Sequence, residues 1–229
     1  MRLHPRRNGC EKNALFTPQM YEPAERVELA AEIEKAKAAD RTFVFIDVGA
    51  NVGLFSLFVA SCAGPKVKIL AIEPEPQNLN RLRFNIAANP GIPIQVVPVA
   101  VGEKKGMVVL DVDDRDRGGT RTRALTSMEG DQFNAESHAP LVDCRTLLDL
   151  LRQEEISHVD ALKIDVEGAE DTVLGAFFRE ASETLWPNLI IIEDGRDSWR
   201  SDLFSVLSQC SYTIAVRTKL NVALRRVRT

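Results

Sequence analysis

One turn, Asp47-Val48-Gly49-Ala50-Asn51-Val52-Gly53, constrains this chain more than any other stretch, because it joins two apolar runs of different period. The run before it, Phe43-Val44-Phe45-Ile46, is short, β-branched and aromatic, and reads as a buried strand. The run after it repeats its apolar residues at helical spacing, at Leu54, Phe55, Phe58, Val59 and Cys62. A glycine turn between a buried strand and a helix is expected to present backbone N–H groups to a polar ligand. Gly49 and Gly53 carry no Cβ and let that ligand approach the main chain. A tight turn with no ligand fits the same residues. The partner that argues against it stands 20 positions after Gly53, where Val67-Lys68-Ile69-Leu70-Ala71-Ile72 ends in Glu73-Pro74. An acid at the tip of the next parallel strand is placed to bind the two hydroxyls of a ribose. Alone, Glu73 would read as a solvated loop acid; with the turn it marks a nucleoside site.

The turn also says which nucleoside. A dinucleotide site calls for Gly-x-Gly-x-x-Gly, whose second glycine lets the main chain close on a pyrophosphate. Here three residues separate the glycines, and Asn51 stands where the middle glycine would fall. Asp47 opens the turn with a carboxylate that would repel a pyrophosphate but could order the turn or receive an ammonium group. S-adenosylmethionine has an ammonium, a sulfonium and a ribose, and no phosphate. It fits this turn better than NAD does.

At 229 residues and 45% hydrophobic content, the chain is expected to form one α/β domain. Its net charge of −4 gives no basic field to collect nucleic acid. No apolar run of about 18 residues predicts a membrane-spanning helix, and the basic, polar start does not read as a secretory signal. Cys10, Cys62, Cys144 and Cys210 are scattered, without metal or disulfide spacing, as in a cytoplasmic protein. Residues 1–20 are broken by Pro5, Gly9 and Pro18 and are expected to be loosely attached. Glu22 to Ala39 has helical spacing at Val27, Leu29, Ala30 and Ile33 and reads as a solvated capping helix. The expected division is an N-terminal extension and helix over 1–40 and a ligand-binding domain over 41–229.

Beyond Glu73, a helix is expected over Gln77–Ala88, stopped by Asn89-Pro90-Gly91, and then a strand at Ile94–Val97. Ala100 and Val101 follow, either as apolar walls for a base or as ordinary core. Met107–Val112 reads as a strand. Asp113–Pro140 reads as a long loop, a lid or binding loop by its length. Its Arg117, Arg121 and Arg123 could meet an acidic substrate or form a solvated charge run, and its His138 is a weak base candidate. Val142–Thr146 leads into a helix, Leu147–Gln153. The strand Val159–Ile164 then ends in Asp165-Val166-Glu167-Gly168, ahead of a helix over Ala169–Phe178. Carboxylates at a strand end are costly unless paired, so Asp165 and Glu167 point to a working site; capping of the helix is the other role open to them. Leu189–Ile192 is a buried strand ending at Glu193. Ser198–Gln209 reads as a helix, and Ser211–Val216 with Asn221–Val227 as a closing hairpin. The alternation predicts a mainly parallel sheet with helices on both faces. Asp47, Glu73, Asp165 and Glu193 then all fall at carboxyl ends of strands, where such sheets bind ligands.

Five stretches together resemble the FkbM family of S-adenosylmethionine-dependent methyltransferases. They are Phe45–Gly53, Ile72-Glu73-Pro74, Val99–Gly102, Leu162–Glu170 and Ile191-Ile192-Glu193, covering roughly residues 43–195. The resemblance implies a Rossmann-like class I methyltransferase sheet of seven strands. It also implies methyl transfer to a hydroxyl oxygen of a sugar, glycolipid or natural product. The expected cofactor-binding set is Asp47, Gly49, Ala50, Asn51, Gly53, Glu73, Pro74, Ala100, Val101 and Asp165. The expected base is Asp165, followed by Glu167 or Glu193. A metal-assisted variant would use Asp165 and Glu193, but no histidine cluster marks one. Nucleic-acid methyltransferases of this fold usually carry an Asn/Asp-Pro-Pro-aromatic stretch where this chain has Asp165-Val166-Glu167-Gly168. An NAD-linked oxidoreductase is disfavoured by the glycine spacing, and a non-catalytic cofactor-binding partner protein would keep the same turn.

Overall fold

A computed structural model of the chain describes residues 1–112, 121–124 and 139–227. Two helices lead, α1 (Gly9–Phe16) and α2 (Pro23–Ala38). The first half of the domain then alternates as β1 (Phe43–Val48), α3 (Leu54–Ala63), β2 (Val67–Ile72), α4 (Pro76–Ala87) and β3 (Ile94–Val97). Four further strands follow, β4 (Ala100–Val101), β5 (Gly106–Asp111), β6 (Arg121–Ala124) and β7 (Leu141–Arg145). The second half runs α5 (Leu147–Gln153), β8 (Ala161–Ile164), α6 (Glu170–Glu180), β9 (Leu189–Glu193), α7 (Leu203–Gln209), β10 (Tyr212–Arg217) and β11 (Asn221–Arg226).

The main sheet has seven strands in the order β10-β11-β9-β8-β1-β2-β3. All its neighbours pair in parallel except β11, which runs against both β9 and β10. Helices cover both faces, and the reason is visible along β1, where side chains alternate. Val44, Ile46 and Val48 face a core shared with Leu147, Leu151, Val173 and Phe177. Phe43 and Phe45 face the opposite core with Leu29 and Ile33 of α2 and Phe55 and Val59 of α3. Each such side chain, once fully buried, contributes about 1.5–3 kcal/mol. From β1 the chain winds outward to β2 and β3, and later returns on the other side to β8 and β9. The order therefore reverses between β1 and β8, and a crevice opens at their carboxyl ends.

Several elements differ from the sequence expectation. Residues 1–20 are not loose: α1 is capped by Asn8, and Glu11 on it is fully buried against Arg81 of α4. Helix α2 is not merely solvated, because Leu29, Ile33 and Ala36 enter the core. Helix α7 starts at Leu203 rather than Ser198; the Asp171 carboxylate takes the N–H groups of Arg200 and Ser201 and holds that stretch in a non-helical path. Strands β4, β7, β5 and β6 form a separate sheet in that order, built on long-range pairs such as Ala100 with Cys144. Strand β6 lies inside the stretch expected to be a loop. Arg117 and His138 lie outside the described residues, as do the side chains of Arg121 and Arg123. Among the described residues no helix is long and apolar enough to cross a membrane.

Candidate active site

The crevice is a cleft open to solvent on one side. Its walls come from three strand ends. Val48 ends β1 and Gly49 and Asn51 follow it, Glu73 and Pro74 follow β2, and Asp165, Val166 and Glu167 follow β8. Val99, Ala100 and Val101 close the far side with apolar surface.

Gly49 has φ +77°, and a Cβ there would lie 1.9 Å from the Asp165 carbonyl oxygen. Only glycine lets the ends of β1 and β8 come this close. Four of the turn's N–H groups are not on offer to a ligand as the sequence led one to expect. Gly49 and Ala50 donate to the Ile72 carbonyl at 3.0 and 2.9 Å, Gly53 donates to Ala50, and Asn51 donates to Glu73 Oε2 at 2.8 Å. The turn is knitted to the end of β2, and the donors that would cradle a phosphate are engaged. Asp47 sits beneath it, 1% exposed, accepting a hydrogen bond from Ser56 at 2.6 Å. Asp47, Ala50 and Gly53 thus shape the turn from behind, while Gly49, Asn51, Glu73, Pro74, Ala100, Val101 and Asp165 reach the cleft wall.

Glu73 is 5% exposed and accepts from two backbone N–H groups, those of Asn51 and Glu75. Among the described residues no lysine or arginine pairs with it. Burial raises its pKa to about 7, against the lowering effect of the two N–H donors. A carboxylate in this state gains from hydroxyl donors, and a ribose diol supplies two.

Beside it lies the acidic end of the site. Asp165, just after β8, and Glu193, the last residue of β9, stand at equivalent rungs of adjacent parallel strands, since Ile164 pairs with Ile192. Carboxylate oxygens of Asp165, Glu167 and Glu193 lie within 4.8 Å of one another, a spacing that could also hold a cation. Glu193 is raised to about 8, first by burial and then by the charges of Asp165, Glu167 and Glu170. The loop that carries Glu167 is strained, with φ +57° at Glu167 and +99° at Gly168. It is held by fully buried Glu170, whose Oε1 accepts from the N–H groups of Val166 and Gly168 and whose Oε2 accepts from Trp199 Nε1.

Sequence reasoning overlooked Lys163. It is 5% exposed, its Nζ lies 2.9 Å from Asp165 Oδ2, and β1–β8 pairing sets it opposite Asp47. Burial disfavours its charge, but Asp165, Glu22 and Asp47 outweigh burial and push its pKa up. The signal was present: a lysine inside a buried parallel strand is anomalous, and two residues before Asp165 it must share that residue's face. Tyr21 and Glu22 were overlooked too. Tyr21 packs against Phe55 at a tilt, with centroids 6.1 Å apart, and Glu22, at φ +43°, buries Oε2 with no hydrogen-bond partner among the described residues.

A doubly wound sheet with a single antiparallel strand, and a cleft at the point where its order reverses, define a class I methyltransferase architecture. A methyltransferase structure from Geobacter sulfurreducens shares the fold, with a TM-score of 0.51 at 14% identity over 96% of this chain and 87% of that one. A family model described as the Methyltransferase FkbM domain matches residues 47–215, and the chain belongs to that family. It is 27% identical over 146 residues to Methyltransferase 1 of Beauveria bassiana, a match covering 59% of this chain. It is 28% identical over 151 residues to Methyltransferase sdnD of Sordaria araneosa, covering 56% of this chain. The matches span 58% of the length of each of these relatives.

Proposed function

We propose that the chain binds S-adenosylmethionine and transfers its methyl group to a hydroxyl oxygen of a sugar, glycolipid or natural-product small molecule. The observation that carries this is Glu73: a nearly buried carboxylate on the cleft wall, beside a turn whose Gly49, Ala50, Asn51 and Gly53 N–H groups are engaged. That combination suits a ribose and not a pyrophosphate, which favours this donor over NAD. When bound, S-adenosylmethionine supplies an electrophilic methyl group on a positively charged sulfur.

In this reading Glu73 accepts both ribose hydroxyls, while Pro74, Ala100 and Val101 hold the base by apolar contact. Asp47 and Ser56 keep the turn in shape, and Asn51 lines it on the methionine side. The acceptor hydroxyl lies over the ends of β8 and β9, and most of the acceleration comes from holding it in line. Lys163 holds Asp165 Oδ2, which leaves Oδ1 to take the hydroxyl proton; Glu193 and then Glu167 are the other acceptors in reach. Three clustered carboxylates and a net charge of −4 favour an uncharged, hydroxyl-rich acceptor over a nucleic acid.

Calorimetry with S-adenosylhomocysteine tests the cofactor, and a panel of hydroxyl acceptors with labelled methyl donor tests the reaction. Asp165→Ala should keep S-adenosylhomocysteine affinity and lose roughly 10²–10⁴-fold in turnover. Unchanged turnover would remove Asp165 as the base, and no affinity for the donor or its product would sink the proposal.

A further inference from the structure

We infer that Asn8, far from the cleft in sequence, is a positioning residue for the ribose-binding carboxylate. The inference rests on the proposed function for the identity of the ligand and on geometry for everything else. Asn8 is 2% exposed, and both ends of its amide are used. Oδ1 accepts from the N–H of Glu11 at 3.0 Å and caps α1, and Nδ2 donates to Asn51 Oδ1 at 2.9 Å. Asn51 has φ +51°, a backbone state that a side-chain bond helps to hold, and its own N–H reaches Glu73 Oε2 at 2.8 Å. A continuous path therefore runs from the N-terminal segment through Asn51 to Glu73.

A second path runs alongside. Asn85 of α4, fully buried, accepts from the Arg2 N–H at 2.6 Å and donates to the Val52 carbonyl at 3.0 Å. The Glu11–Arg81 pair, at 2.7 Å with Glu11 fully buried, also pins the segment onto α4. The glycine turn is thus held from the N-terminal side at two adjacent residues. Helix capping alone would explain the Asn8 Oδ1 bond, but not a buried amide whose other end bonds a residue of the cleft wall.

Asn8→Ser separates the two roles. Serine keeps the cap but is too short to bridge to Asn51. The readouts are S-adenosylhomocysteine affinity by calorimetry and amide exchange at Asn51 measured without ligand. Asn8→Ser should weaken affinity roughly fivefold, about 1 kcal/mol for one lost hydrogen bond, and speed Asn51 exchange by a similar factor. In an Asn51→Gly background, where the left-handed backbone needs no side-chain support, Asn8→Ser should change neither quantity. Wild-type exchange at Asn51 in Asn8→Ser, or an equal effect in both backgrounds, would overturn the positioning role. If wild-type protein binds no S-adenosylhomocysteine yet Asn51 exchange rises in Asn8→Ser, the proposed cofactor fails and the positioning role stands.

Discussion

Replacing Gly49 by alanine tests the approach of β1 to β8 on which the cleft depends. Two costs are expected, and a control separates them. The first is conformational: a non-glycine residue held at φ +77° loses roughly 1–2 kcal/mol. The second is steric. The added Cβ would lie 1.9 Å from the Asp165 carbonyl oxygen, whereas real Cβ contacts essentially never fall under 3.0 Å. The gap must open by about 1 Å, and the obstacle is strand-end backbone, not the tip of a flexible side chain. Overpacking of that kind costs about 1–3 kcal/mol. Gly91, at φ +87° with nothing within 4 Å of where a Cβ would stand, carries the first cost without the second. In urea unfolding, Gly49→Ala should therefore be less stable than Gly91→Ala by about 1–3 kcal/mol. It should also lose S-adenosylhomocysteine binding while Gly91→Ala keeps it. Equal stability of the two variants, within about 0.5 kcal/mol, would refute the contact and with it the reason for a glycine at position 49.

Glu73→Gln should weaken S-adenosylhomocysteine binding roughly 10–100-fold, the range for hydrogen bonds to a charged group, with calorimetry as the check. Because ribose hydroxyls favour the ionised carboxylate, wild-type affinity should rise with pH through about 7 and fall below it, and a flat profile in the wild type would contradict that role. Lys163→Met leaves Asp165, Asp47 and Glu22 facing one another without their cation, and should cost about 3–5 kcal/mol at pH 8. The loss should shrink at pH 5.5, where carboxylates take up protons more readily; equal losses at both pH values in urea melts would show that packing, not charge, is what Lys163 supplies.

The parts of this molecule that were legible in its sequence are those where a local pattern has one physical meaning. A β-branched run, a glycine pair and a helical period define the β1–α3 turn, and an acid after the next apolar run is Glu73. The N-terminal segment was not legible, because single polar contacts attach it. Asn8 and Glu11 carry no period, and their partners Asn51 and Arg81 are 43 and 70 residues away. The four-stranded sheet escaped for a related reason, since β4 is only Ala100–Val101 and exists through its pairing with Cys144 and Arg145. The start of α7 depends on a distant carboxylate, since Asp171 binds the Arg200 N–H 29 residues on and anchors the stretch ahead of the helix.

The electrostatics of the cleft oppose stability, and that opposition locates function better than any single residue does. Glu22 and Glu73 are raised to about 7 and Glu193 to about 8, each chiefly by burial. A carboxyl whose folded pKa exceeds its unfolded value near 4.5 gives stability that is complete below that value. The contribution is lost as pH rises through about 7 to 8, so at neutral pH these groups weaken the fold. Elsewhere the chain neutralises several of its buried acids with cations. Asp160 is paired with Arg41, Glu11 with Arg81, and Glu32 with Arg225. Glu73 and Glu193 differ in where they stand: at the carboxyl ends of β2 and β9, around the crevice where β1 and β8 part. Carboxyls held above their ordinary pKa at that place are what a site requires if their counterpart arrives with the ligand, as hydroxyl donors for Glu73 and as a transferable proton at the end of β9.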